Sequence, residues 1–180
     1  MAAIQKFSMK RSSIPLPEFF DRYINLVDDI EALAALEKYG SNWLNSEKEK
    51  FNALKDTIYA PGKWTVKDIL QHVIDNERIF CYRALRFARN DKTPLPGYDE
   101  QLFGQQANGF KRTVDDLLDE FALVRQASLA LFNNFSEEML LRRGVANNKE
   151  ISVAAIGFVI AGHPIHHLNI LKERYYPLLK

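Results

Sequence analysis

The chain is short of several things, and each shortage excludes something. Cys81 is its only cysteine, so no intramolecular disulfide can form, and a reducing compartment, the cytoplasm, is the expected location. Neither sign of charge is in surplus: 24 basic against 23 acidic residues give a net charge of +1. No general field therefore draws nucleic acid or anionic lipid, and neither is expected as a partner. Long apolar runs are missing as well. The longest, Ala154 to Ala161, is interrupted by Gly157 and falls far short of the roughly 20 residues that cross a bilayer. The segment from Met1 to Arg11 carries basic residues without the apolar stretch of a secretory signal. Missing too are a phosphate-cradling glycine loop, zinc-finger spacing, the paired Glu-x-x-His of di-iron bundles, and the His-Glu-x-x-His of zincins, whose glutamate position is here Pro164.

What is present reads as helix. With 180 residues the chain is long enough for one domain that buries roughly 70% of its unfolded surface. Residues 1 to about 15 show no periodicity, and Pro15 and Pro17 punctuate them, so a frayed or surface-draped start is expected. Glu18 to Leu26 is a short amphipathic piece. Asp28 with Glu31, Ser46 with Glu49, Thr65 with Asp68 and Thr113 with Asp116 each have the spacing of a capping box and predict helix starts. From Thr65 to about Arg89 an inward stripe runs through Ile69, Val73, Phe80, Ala84 and Phe87. From Thr113 to about Phe132 the stripe is Leu117, Phe121, Val124 and Leu131. Ser136 to Leu140 makes a short turn, and Gly144 to Lys149 a polar loop. A last helix runs from about Ser152 to Tyr176, where Pro177 stops it. Four long helices without an alternating strand pattern predict an all-α four-helix bundle over residues 28–180, preceded by an extension over 1–27. Asn90 to Arg112, with Pro94, Pro96, Gly97, Gly104 and Gly109, is a long irregular link. It would let the second and third helices run the same way, and it is expected to border the functional site.

Three of the four histidines crowd into Gly162-His163-Pro164-Ile165-His166-His167. His163 and His167, one helical turn apart, stack on one face in a row with Ile156 and Ile160, while His166 shares a more polar row with Asn169 and Glu173. The fourth, His72, flanks the stripe of the second long helix. Three imidazoles meeting between two helices would suit zinc, nickel or ferrous iron and leave a coordination position open. The same pair at helical spacing is also what a hydrogen-bonded core pair looks like. Pro164 removes the N–H that would bond Ile160 and should bend the helix beside Gly162. Asp75, one turn after His72, is the carboxylate nearest in sequence for orienting a ligand or acting as a base. Arg78, Arg83 and Arg86 read as a solvated face with Asp75 and Glu77, and Cys81 as a small core residue.

Trp64-Thr65, with His72 seven residues on and Asp75 and Glu77 following, then Gly162-His163-x-x-His166-His167, resembles the DinB-like family and its YfiT-like members over about residues 28 to 176. The resemblance implies an up-down-down-up bundle, often a homodimer, with a divalent ion, zinc or nickel, on His72, His163 and His167. It also implies a small-molecule substrate, with S-transfer using a low-molecular-weight thiol, or hydrolysis, as the activity. The chain departs from the family at Pro164, which bears on helix geometry rather than on ligand identity. The competing expectation is a non-catalytic, dimerising stress or partner-binding bundle.

Overall fold

A computed structural model describes residues 9–179. Nine α-helices and one hairpin are present among them: α1 (Asp21–Ile24), α2 (Ala32–Lys38), α3 (Ser41–Asn45), α4 (Lys48–Leu54), α5 (Val66–Ala88), α6 (Glu100–Ala107), α7 (Val114–Asn133), α8 (Glu137–Leu141), β1 (Arg143–Ala146), β2 (Lys149–Ser152) and α9 (Val153–Ile170). The four-helix bundle is built of α5, α7, α9 and a first rod broken into α2, α3 and α4.

Side-chain pairings give the direction of each rod. Gln71 meets Arg112, Glu77 meets Arg125 and Cys81 meets Ser128, so α5 and α7 run parallel. His72, early in α5, meets His163, late in α9, and Phe132 lies against Gly157, so α9 opposes both. Ala32 lies beside Gly157 and Lys48 pairs with Asp115, so the first rod runs with α9 and against α7. The order is up-down-down-up.

Two of the four expected capping boxes form, at Thr65/Asp68 and Thr113/Asp116, each with both reciprocal bonds. Asp28 is drawn instead to Lys38, and α2 begins after Glu31 with no side-chain cap. The Ser46 hydroxyl donates back to the Trp43 carbonyl. Ser136 and Ser152 cap α8 and α9. Two elements lie where no regular structure was expected. Asp99 accepts from the backbone N–H groups of Gln101 and Leu102 and starts α6 inside the 90–112 link. Asn147 and Asn148, both at positive φ, turn the β1–β2 hairpin, which adds a small sheet to an otherwise helical chain.

α9 is the central rod. Every residue from Val153 to Ile165 is buried, on all sides rather than along one stripe, and the rod continues through a π-helical turn at Leu171–Tyr175. By length and composition Val153–Leu178 could cross a membrane, with a mean hydropathy of 1.3 over its most apolar window, yet 72% of that window is buried inside the protein. Its apolar surface is used by the core. The helix has the length expected from the sequence, but the longest unbroken apolar run, Ala154 to Ala161, understates how apolar it is as a whole.

From Met9 on, the N-terminal extension is integral to the fold. Met9, Ile14, Phe20, Ile24 and Val27 join the same core as α9, so the frayed or surface-draped start expected over residues 1 to about 15 is corrected from Met9 onward, and its first eight residues lie outside the described residues. Gly162 makes the close approach possible: a Cβ there would lie 2.1 Å from the Tyr23 carbonyl oxygen.

Candidate metal centre

The Thr65–Asp68 box starts α5 two turns before His72, and the Trp64 ring, 4.9 Å from the imidazole by centroid, limits where that side chain can lie. On α9, His163 and His167 present their rings one turn apart, with centroids 4.5 Å from each other and both 4.9 Å from His72. The Nε2 atoms converge: His72 to His163 is 3.2 Å and His163 to His167 is 3.0 Å. His72 and His163 are buried and His167 half-buried.

Ordinary hydrogen bonding does not account for this arrangement. A neutral imidazole nitrogen either donates one proton or accepts at one lone pair, and the His163 Nε2 has two nitrogens at hydrogen-bond distance. A shared cation uses all three lone pairs at once. Nitrogens that are each roughly 2.0–2.1 Å from one ion lie about 3.0–3.4 Å from one another, as the two pairs that share His163 do, and the three ligand atoms together lie within 4.8 Å. Burial keeps the rings neutral and their lone pairs free. It pushes His72 down to about 4, with a smaller contribution from His166, and holds His163 and His167 well below the usual imidazole value, the neighbouring histidines adding to the effect. The three residues fit a divalent metal ion that accepts imidazole ligands.

Pro164 does not spoil the geometry, because the carbonyl it leaves free is taken up. Arg125 Nη2 donates to the Ile160 oxygen at 3.3 Å. The same guanidinium donates to both Glu77 oxygens, at 2.8 and 2.9 Å, and to the Leu36 and Tyr39 carbonyls at 2.9 and 2.8 Å, so all five of its N–H groups are used. Arg125 thus ties α2, α5 and the bend of α9 together just before His163. Here the sequence reading is corrected. Glu77 was placed on a solvated face and is only 3% exposed. The inward stripe of α7 runs through Leu117, Phe121, Arg125, Ser128 and Phe132, so Val124 and Leu131 sit on its half-buried edge. Arg125 had been missed, although it falls at helical spacing from Phe121, Ser128 and Phe132, where an arginine must find a buried acceptor.

A family model of the DinB superfamily matches residues 26–171. The chain belongs to the DinB superfamily. Among solved structures, YfiT from Bacillus subtilis, described as a probable metal-dependent hydrolase with an unusual four-helix bundle topology, aligns with a TM-score of 0.55 and 18% identity over 92% of both chains. At that identity the likeness speaks for the fold. No curated protein matches the chain.

In this DinB-superfamily bundle the histidine group and the 90–112 link meet, as expected. Asn76, one turn after His72, donates to the Tyr98 hydroxyl at 2.9 Å, and Gly104 presses so close to Trp64 that a Cβ would sit 2.7 Å from its ring. Gln101 of α6 and His167 share a cleft of about 310 Å³. Other candidates lie apart. Asp75 turns toward Gln71 and Arg78, and no carboxylate joins the histidine cluster among the described residues. Arg83 is buried against the Pro96 carbonyl and over the Phe80 ring rather than solvated, while Arg78 pairs with Glu120 and Arg86 with Asp91. His166 packs edge-on against Tyr23, outside the cluster. Cys81 lies 3.1 Å from the Ser128 hydroxyl, and burial pushes its thiol up to about 11.

Proposed function

We propose that this chain is a divalent-metal-dependent enzyme in which His72, His163 and His167 hold one zinc or nickel ion, and that it transfers a small thiol to an electrophilic substrate. The observation that carries the reading is the meeting of three imidazole nitrogens, two on the central helix and one on α5, within 4.8 Å of one another. When bound, the ion supplies Lewis acidity toward a thiol, water or carbonyl brought to it. The chain's own residues do the rest. Burial keeps the imidazoles neutral, Arg125 fixes the bent segment that carries His163, and the 90–112 link with Trp64 walls off one side. His167 faces the cleft and leaves an approach for a co-substrate.

Thiol transfer is favoured over hydrolysis because a coordinated thiol is deprotonated outright, whereas a coordinated water reaches a pKa of only about 7 and gains from a carboxylate base, and no carboxylate joins the cluster among the described residues. A thiol, far more acidic than water, needs no such base. The same reading has the protein act on a small molecule in the cytoplasm as a homodimer. The apolar side chains Tyr82, Leu85 and Leu123, exposed on α5 and α7, support the dimer.

A second reading, a non-catalytic partner-binding bundle, draws on a groove of about 450 Å³ that these two helices form, lined by Cys81, Leu123, Val124, Ala127 and Leu131. The test is a comparison of the zinc- and nickel-loaded protein with His163→Ala. Conjugation of small thiols to chlorodinitrobenzene, against hydrolysis of nitrophenyl esters, should show a metal-dependent excess of the first reaction that His163→Ala abolishes. Faster hydrolysis would replace transfer with hydrolysis as the activity. Inactivity in both assays, with metal bound and the fold intact, would favour the second reading.

A further inference from the structure

The cleft beside His167 has a composition that the metal centre does not explain. Its walls are the aromatic rings of Tyr59, Trp64 and Tyr175 and the aliphatic side chains of Ile69 and Ile170. At about 310 Å³ it lies at the small end of ligand-sized clefts, enough for a molecule of one or two rings. Flat rings facing a small volume select a flat apolar body.

Among the described residues, the one charged side chain that lines it is cationic. Lys63 lines the cleft with its ammonium 5.8 Å from the Tyr59 ring centroid, and Arg174 donates to the Tyr59 hydroxyl at 3.1 Å. Arg174 has a distant answer in Glu173, 3.7 Å away, whereas Lys63 pairs with no carboxylate among the described residues. The nearest acid along the chain, Asp68, is occupied: one oxygen accepts from Thr65 and the other from the Phe110 backbone N–H. Consistent with a positive rim, the Tyr59 phenol is held below its ordinary value, first by the bond from Arg174 and then by the field of Lys63.

From this we infer that the substrate side of the cleft takes a small organic anion with a flat apolar body, and that Lys63 is the residue that selects its charge. The body would lie against Trp64 and Tyr59, the acidic group would meet Lys63, and His167 would mark the reacting end. A cation of the same shape would meet Lys63, Arg174 and the ion, all repulsive. The inference rests on the reading of the histidine cluster as the reacting centre. The charge selection is nevertheless a property of Lys63 that can be measured without it.

The probes are naphthoate and naphthamide, one shape with and without the charge, titrated calorimetrically into the full chain after chelation and again after zinc loading. The metal-free arm matters because a carboxylate would bind the ion directly and mask the lysine. In that arm naphthoate should bind at least about fivefold tighter than naphthamide, the scale of one partly exposed charge pair. Lys63→Gln should erase the preference without changing naphthamide affinity, and Lys63→Arg should keep it. Equal binding of the two probes, a preference that survives in Lys63→Gln, or no binding of either in the millimolar range would overturn the inference. If the protein bound no zinc and the Lys63-dependent preference persisted, the metal reading would fail and the charge selection would stand.

Discussion

Replacing Arg125 by methionine is the most informative single perturbation of this fold. Arg125 is 1% exposed and its five N–H groups meet five acceptors on α2, α5 and α9. Methionine keeps much of the volume and removes every donor. Glu77 would be left as a buried carboxylate whose remaining partner is the Ser128 hydroxyl at 2.7 Å, and the Leu36, Tyr39 and Ile160 carbonyls would lose their donor. An uncompensated buried charge costs about 3–5 kcal/mol, and each orphaned carbonyl adds about 1 kcal/mol after relaxation. The expected loss is therefore about 6–8 kcal/mol, a large share of a typical stability of about 5–15 kcal/mol. Urea unfolding of chelated protein at neutral pH, followed by tryptophan fluorescence and far-ultraviolet dichroism, measures it. Glu77→Gln keeps the shape and should cost less, about 3 kcal/mol. The double variant Glu77→Leu/Arg125→Met should cost less than the two single-site variants, Glu77→Leu and Arg125→Met, together, because no charge remains unpaired. An Arg125→Met cost below about 1 kcal/mol, or strict additivity in the cycle, would refute the reasoning.

Other consequences are smaller and more local. Pro164→Ala should leave stability within about 1 kcal/mol, against the roughly 3 kcal/mol that a plain helix-breaking proline would return. The Ile160 carbonyl already has Arg125 as donor, so a gain near the larger figure in urea unfolding would show that the bend is strained. Gly162→Ala should destabilise by about 2 kcal/mol or more, since its Cβ would meet backbone rather than a side chain that can move; an unchanged melting temperature would contradict the packing of α1. Cys81 should be alkylated slowly by iodoacetamide at pH 8, with the rate climbing toward about pH 11, because burial raises the folded thiol above its ordinary value of 9.0. The folded state then holds its proton longer than the unfolded state, so this contribution to stability is full below about pH 9 and lost as pH rises through about 11. Fast alkylation at neutral pH would refute the burial.

The histidine group was legible because its spacing is local. His163 and His167 are one turn apart on any helix, and the Thr65–Asp68 box fixes the phase at which α5 presents His72. The rods were legible for the same reason, through stripes of period 3.6. What escaped depends on distant partners. Nothing near Glu77 in the chain announces Arg125, 48 residues on, so a charge on a mixed face was read as solvated. Asp28 and Ser46 had cap-like spacing but better offers elsewhere, from Lys38 and the Trp43 carbonyl. α6 was hidden by Gly104 and the flanking prolines, although Asp99 was a usable start signal. The hairpin turn was written in Asn147-Asn148, two residues that tolerate positive φ.

The central claim is that three imidazoles from two helices hold one divalent ion. Zinc titration of chelated protein, with a chromophoric chelator as competitor, tests it most directly across the wild type and alanine replacements at His72, His163, His166 and His167. The account predicts one ion per wild-type chain, affinity reduced at least about hundredfold by replacement of His72, His163 or His167, and little change on replacement of His166. Less than a tenth of an equivalent in the wild type, or undiminished binding in His163→Ala, would contradict it.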